Sequence, residues 1–179
     1  VFFCNSPLVR LTDNGLPHMS EGGSKTNIQP EHYDDFANYC YDVTEHFIEE
    51  GIPVKFLSPI NEPQWDWYNG QEGCHYTPEQ VRALYLVFLD ELEKRPELAE
   101  KLHLSGPESG EWGGQAKDYT QAVLGEERLA AHFDGIDNHS YWSDKIAKES
   151  LRNWMKIHYP DVKLRTSEWC EMVNGSDVT

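Results

Sequence analysis

At 179 residues and 39% hydrophobic side chains, the chain has the size and apolar content of one globular domain with its own core, which excludes a disordered or fibrous protein. Its 15 basic and 31 acidic residues give a formal charge of -16, a field that repels nucleic-acid phosphates and anionic bilayer surfaces and favours neutral or cationic partners. No apolar stretch reaches the roughly 18 residues of a membrane span.

The opening Val1-Phe2-Phe3-Cys4 reads as a strand, not as a leader with basic and apolar regions. Between residues 30 and 50, apolar groups at Tyr33, Phe36, Ala37, Cys40, Val43, Phe47 and Ile48 recur with a period of about 3.6 and stop at Gly51, which predicts an amphipathic helix. The apolar run at 53–58 predicts a strand closed by Pro59. Thr77-Pro78-Glu79-Gln80 combines an N-cap, a Pro at the first helical position and a Gln three residues on. Val81, Leu84, Tyr85, Phe88 and Leu92 then share one face, so a second helix runs to near Pro96. Residues 102–105 predict a strand, 116–130 a less regular helical segment and 133–137 another strand. Ala147, Leu151, Trp154, Met155 and His158 form a further helical stripe, and 162–166 a fifth strand.

Strict alternation of strand and helix implies a parallel α/β sheet with right-handed crossovers, either doubly wound or closed as a barrel. The barrel is favoured because the long segments after strands (5–29, 61–76 and 106–114) are rich in Gly, Trp, Glu, Asn and His, where a (β/α) barrel builds its site. No Gly-rich phosphate loop follows the first strand, as a nucleotide-binding doubly wound sheet would show. A (β/α)8 TIM barrel needs eight strands. Five strands, with the chain starting inside one and stopping just after another, predict that 1–179 is a partial barrel truncated at both ends.

Six Trp and nine Tyr supply flat amphipathic rings on which the C–H face of a sugar can lie, although such rings commonly fill cores as well. Cys4, Cys40, Cys74 and Cys170 lack the C-x-x-C pairing of zinc and redox sites and read as ordinary thiols. Asn174-Gly175-Ser176 is a glycosylation sequon that counts only in a secretory setting. No His-Glu-x-x-His, Asp-rich calcium loop or cysteine cluster is present, so neither a metal nor another cofactor is expected. Cleaving a glycosidic bond takes two carboxyl groups facing each other across the sugar. Glu62, just past the strand at 54–58, and Glu168, just past the strand at 162–166, would reach a barrel mouth from different sides. As isolated loop carboxylates they would be unremarkable among 31 acidic residues, and their surroundings change that.

Asn61-Glu62-Pro63 after one strand and Ser167-Glu168-Trp169 three strands later resemble clan A glycoside hydrolases, and specifically glycoside hydrolase family 30. The string Ser58-Pro59-Ile60-Asn61-Glu62-Pro63-Gln64-Trp65-Asp66-Trp67, followed by Gln71-Glu72-Gly73-Cys74, resembles the family's fourth strand and loop. Asn5-Ser6-Pro7, with Thr12-Asp13-Asn14-Gly15 behind it, resembles the third. The resemblance runs from the third strand to the seventh. It implies Glu62 as acid/base, Glu168 as nucleophile and Asn61 on the 2-hydroxyl of the reacting sugar, with Asn5 a further substrate contact. His139 and Tyr141 match the clan's His-x-Tyr, whose Tyr hydroxyl can hold the nucleophile ionised. Trp65, Trp67, Trp142 and Trp169 become candidate sugar platforms, Trp169 with the alternative of packing behind the nucleophile. Glu108 either binds a substrate hydroxyl or anchors a loop, and Glu21 and Glu72 are read as solvated.

The implied activity is that of a retaining β-glycosidase, most like members that cut β-1,6-linked galactan, with xylan, β-1,6-glucan or glucosylceramide as alternative substrates. An inverting enzyme and a non-catalytic sugar-binding barrel are the rival readings. A polysaccharide or oligosaccharide partner, a monomer, and a secreted or periplasmic location complete what the resemblance implies.

Overall fold

The strands lie parallel and alternate with helices, as the periodicity predicts. The computed structural model describes residues 1–19, 26–68, 70–173 and 176–178. β1 (Phe2–Phe3) pairs with β2 (Phe56–Ser58), and β2 with β3 (His103–Leu104); β4 (Pro107–Ser109) pairs with β5 (Gly135–His139), and β5 with β6 (Lys163–Glu168). β3 and β4 are halves of one run. The Ser105 N–H donates to Leu57 on one side, and the Gly106 carbonyl accepts from Asp137 on the other. All five expected strand positions are therefore occupied, with the third bent between its halves.

The bend has local causes. Gly106 sits at φ +116°, and a Cβ there would fall 2.2 Å from the Tyr85 hydroxyl, so only glycine fits. Buried Asp137 accepts the Gly106 N–H at 2.9 Å, the Ser105 hydroxyl, and Arg165 Nε at 2.6 Å, which ties β5 and β6 to the bend.

The helices follow their apolar stripes. α1 (Tyr33–Glu49) begins after a 3-10 turn at Pro30–His32 and buries Tyr33, Phe36, Ala37 and Cys40, whereas Phe47 at its far end stays 36% exposed. The thiols of Cys4 and Cys40 touch at 3.5 Å, joining the end of β1 to this helix. α2 (Pro78–Glu93) has both halves of its capping box, since Thr77 accepts from the Gln80 N–H and the Gln80 side chain accepts from the Thr77 N–H. Its five stripe residues are all buried. α1 packs on α2, and α2 on α4 (Ala116–Leu124).

The structure refines three expectations. A short α3 (Pro96–Ala99) follows α2, where the periodicity ended the helix: Pro96 cannot continue it, but at a first-turn position it starts the next one. The segment at 116–130 is two helices, α4 and α5 (Glu127–His132), split at Gly125-Glu126. The fourth strand is shifted from 133–137 to Gly135–His139, because Phe133 turns inward against Tyr85 with ring centroids 5.2 Å apart. α6 (Lys145–His158) is N-capped by Asp144 and buries Leu151 and Met155. Beyond β6, an unexpected antiparallel pair forms from β7 (Glu171–Val173) and β8 (Ser176–Val178). Glu21 and the first two residues of the Asn174 sequon lie outside the described residues.

Candidate active site

The carboxyl ends of β1, β2, β5 and β6 open onto a cleft of about 740 Å³, lined by Phe3, Asn5, Asn61, Glu62, Trp65, Asp66, Trp67, Tyr68, Gln71, Tyr141, Trp142 and Glu168. Eight of the eleven sequence candidates are in that lining. Asp66, Tyr68 and Gln71 belong to the same loop and were assigned no role from sequence; their adjacency to Trp65 and Trp67 was the available signal.

Glu62 follows β2 with its backbone fixed on both sides. Its N–H donates to the Glu108 carbonyl at 2.9 Å, while its own carbonyl accepts from the Trp65 N–H and, at 3.1 Å, from the Trp67 indole. Among the described residues, Glu62, Trp67, Glu108 and Trp142 are the non-glycine residues with positive φ, at 42°, 50°, 56° and 47°. Each such backbone costs about 1–3 kcal/mol and persists only where surrounding contacts enforce it, as they do at functional sites. Room for the Glu62 carboxylate also depends on Gly110, where a Cβ would lie 2.8 Å from Oε1.

Because β5 runs to residue 139, His139 is part of the strand and is 1% exposed. Its Nδ1 lies 2.8 Å from Glu62 Oε1 and 3.4 Å from Glu168 Oε2, and its Nε2 lies 3.3 Å from Glu108 Oε2. A neutral imidazole has one N–H, and acceptors at both nitrogens require two. Burial opposes charging the ring, but the bonds to Glu108 and Glu62 and the charge of Glu168 outweigh it and raise the pKa from 6.5 to about 9. His139 is therefore an imidazolium at neutral pH. One ligand atom each from Glu62, His139 and Glu168 lie within 4.8 Å of one another, close enough for a metal ion, but the doubly protonated ring has no lone pair to offer one.

Such a raised pKa makes stability depend on pH. The contribution is complete below the unfolded value of 6.5 and is lost as pH rises through about 9, amounting to about 3 kcal/mol. Thermal melts of the intact protein should show Tm falling across this window, and the fall should be absent from His139→Asn. A flat wild-type profile between pH 6.5 and 9.5 would refute the charged ring.

Glu168 ends β6 with its side chain 36% exposed to the cleft, and the Tyr141 hydroxyl donates to its Oε2 at 3.2 Å. Burial first, and then the charge of Glu168, push the Tyr141 phenol up to about 12, so it remains a donor.

Three candidates do not line the cleft. His139 and Glu108 lie behind it, and Glu108 is only 2% exposed, so it has no direct path to a substrate hydroxyl. Trp169 is 67% exposed with Lys148 Nζ 4.4 Å above its ring, because successive strand residues face opposite ways and Glu168 takes the inward side. It neither lines the cleft nor packs behind Glu168. Trp67 reaches the lining only by an edge: it is 8% exposed, belongs to the core and covers Gly73. Trp65 stands edge-on to Trp142 with centroids 5.4 Å apart, both available to the cleft. Trp67→Ala should therefore cost about 3 kcal/mol of stability. Trp65→Ala should leave Tm nearly unchanged and weaken substrate binding about tenfold, the loss of one stacking contact. Equal Tm losses in the two variants would contradict this division.

Residues 1–147 match the sequence model of O-Glycosyl hydrolase family 30. An endo-β-1,6-galactanase of Hypocrea rufa is 31% identical over 98 residues, covering 52% of this chain and 20% of the galactanase. A conserved exported protein from Bacteroides fragilis superposes with a TM-score of 0.83 at 20% identity, over 99% of this chain and 40% of that one. The catalytic domain of GH30 xylanase C from Talaromyces cellulolyticus superposes with a TM-score of 0.62 at 13% identity, over 98% of this chain and 48% of that one. At such identities the two structures speak to the fold alone, an α/β fold with parallel strands. The chain spans less than half the length of each of these three proteins.

Proposed function

Because the chain belongs to O-glycosyl hydrolase family 30, we propose that the intact protein is a retaining β-glycoside hydrolase in which Glu168 attacks the anomeric carbon and Glu62 protonates the leaving oxygen. Its five parallel positions are read as strands three to seven of a (β/α)8 barrel. The observation that carries the mechanism is the approach of the two carboxylates, an oxygen of each lying within 4.8 Å of the other across the cleft. So close an approach of carboxylate oxygens suits direct attack, for which the carboxyl groups stand about 5–5.5 Å apart, better than the roughly 6.5–9.5 Å that accommodates an intervening water.

The steps follow from the side chains present. Glu168, with one oxygen held by Tyr141, bonds to the anomeric carbon as the glycosidic bond breaks, and the proton of Glu62 goes to the departing oxygen. Water then attacks the same carbon, Glu62 takes its proton, and Glu168 leaves. Asn61 lines the cleft, and its buried Oδ1 has no hydrogen-bond partner among the described residues, an unused acceptor that a sugar 2-hydroxyl would satisfy.

The substrate is a neutral glycan, most closely β-1,6-galactan, the polymer named for the Hypocrea rufa relative. Glu62, Asp66 and Glu168 line the cleft with no Lys or Arg among the described lining residues, which disfavours an anionic sugar. Such a polymer is met outside the cytoplasm, so the protein is exported. To test this, the intact protein is incubated with β-1,6-galactan, β-1,6-glucan and xylan while NMR follows the new reducing ends. Galactan should be cut with the β-anomer appearing first. The α-anomer first would end the retaining mechanism, and intact galactan would end the substrate assignment.

A further inference from the structure

Glu108 carries a carboxylate that is nearly fully buried and absent from the cleft lining. A buried carboxylate is costly unless it is paired, so its partners indicate its use. Its Oε2 accepts from the Ser167 hydroxyl, next to Glu168 in sequence, and faces His139 Nε2 at 3.3 Å. Its main-chain carbonyl accepts the N–H of Glu62 at 2.9 Å. One residue thus touches the backbone of the acid/base, the neighbour of the nucleophile, and the ring set between them. It does so from a left-handed backbone, φ +56°, that a glutamate adopts only under constraint.

Resting on the retaining-glycosidase reading above, we propose that Glu108 is a positioning residue that holds His139 by Nε2 in its doubly protonated form, so that Nδ1–H is presented to the carboxylates of Glu62 and Glu168. Without a proton on Nδ1, a lone pair would face Glu168 Oε2 at 3.4 Å and Glu62 Oε1 at 2.8 Å, and Glu62 could meet it only by turning to the ring the proton that the leaving oxygen needs. With it, one positive charge sits between the two groups that must approach each other, and offsets their repulsion. The groups facing the ring are Glu62 from the loop after β2, Glu108 from β4, Glu168 from β6 and Tyr141 just beyond β5, its ring centroid 5.8 Å away. Tyr85 of α2 lies behind Glu108 and feels its charge. Glu108 supplies the only carboxylate oxygen at Nε2 among the described residues, so its removal frees the ring to adopt the neutral tautomer with hydrogen on Nδ1.

The test is a ¹⁵N NMR titration of His139 in the intact protein, for wild type, Glu108→Gln and Glu108→Asp. The midpoint should fall by at least about one pH unit in Glu108→Gln and by less in Glu108→Asp, which keeps the charge but withdraws it from Nε2. Should the Gln variant not fold, the Asp variant decides. With β-1,6-galactan as substrate, kcat should drop while KM stays within about threefold, the pattern of an interaction made through the catalytic groups. An unmoved midpoint would overturn the proposal, as would a rise in KM with kcat unchanged, which marks a substrate contact. If galactan is not cleaved, the substrate assignment fails, while the His139 midpoints still decide the role of Glu108.

Discussion

Glu168→Ala in the intact protein should lower turnover by about four to six orders of magnitude, the usual cost of deleting a nucleophile whose work no other group can do. Glu62→Ala should behave differently. Substrates with a poor leaving group need its proton and should slow about 10²–10⁴-fold, whereas an aryl glycoside with an acidic phenol should still form the glycosyl-enzyme. Azide separates the two roles by stereochemistry. In Glu62→Ala it attacks the covalent intermediate from the face the leaving group vacated and gives the β-glycosyl azide. In Glu168→Ala it occupies the empty nucleophile position and attacks the substrate itself, giving the α-product. The anomeric coupling constant reads the outcome. Reversed anomers would exchange the roles of the two residues, and no azide adduct in either variant would remove the covalent intermediate altogether.

Asp137→Ala should be the most destabilising single change outside the cleft, by about 3–5 kcal/mol, because it breaks a buried pair and leaves the other partner uncompensated. Asp137 is 4% exposed and accepts from the Ser105 hydroxyl, the Gly106 N–H and Arg165. Arg165 keeps Asp134 at 3.1 Å, but that contact lies nearer solvent and is worth less. Denaturant unfolding of the intact protein measures the loss. Because Asp137 and His139 face the same way on β5, the variant should also lose activity under conditions where it remains folded. A change below about 1 kcal/mol would show that Arg165 and the bend are held by other contacts.

The alternation of elements was legible because α1 and α2 bury their apolar stripes in the common core, so the sequence period reports the face directly. The Thr77 capping box was equally legible, being wholly local. The break between β3 and β4 was not. It depends on Tyr85, 21 residues upstream of Gly106, and on Asp137, 31 residues downstream, and no window of neighbouring residues contains that information. The shift of β5 has the same origin, since Phe133 is apolar enough for a strand but is taken by Tyr85. At the site, spacing and resemblance brought Glu62, Glu168, Asn61 and Tyr141 to one cleft. They did not separate aromatic residues by orientation: Trp65, Trp67 and Trp169 are alike in sequence, and only the packed loop makes one a cleft wall, one a core residue and one a ring under a lysine. Sequence left Glu108 between a substrate contact and a loop anchor for a related reason, because a carboxylate at a strand end reads the same whether it points at solvent or at a buried histidine.

The four side-chain-bearing residues in left-handed backbone have a consequence for anyone who tries to make this protein more robust. At 142, where the side chain is 57% exposed, a screen that selects only for heat resistance will find glycine attractive, since glycine adopts that angle without steric penalty, whereas at 67 the lost burial of the indole outweighs the relief. Any gain there would come from relaxing a loop that forms the cleft wall beside Trp65. Thermostability and substrate binding thus pull in opposite directions at Trp142, and hardening is better sought toward the far end of α6, where Ile157 is 75% exposed.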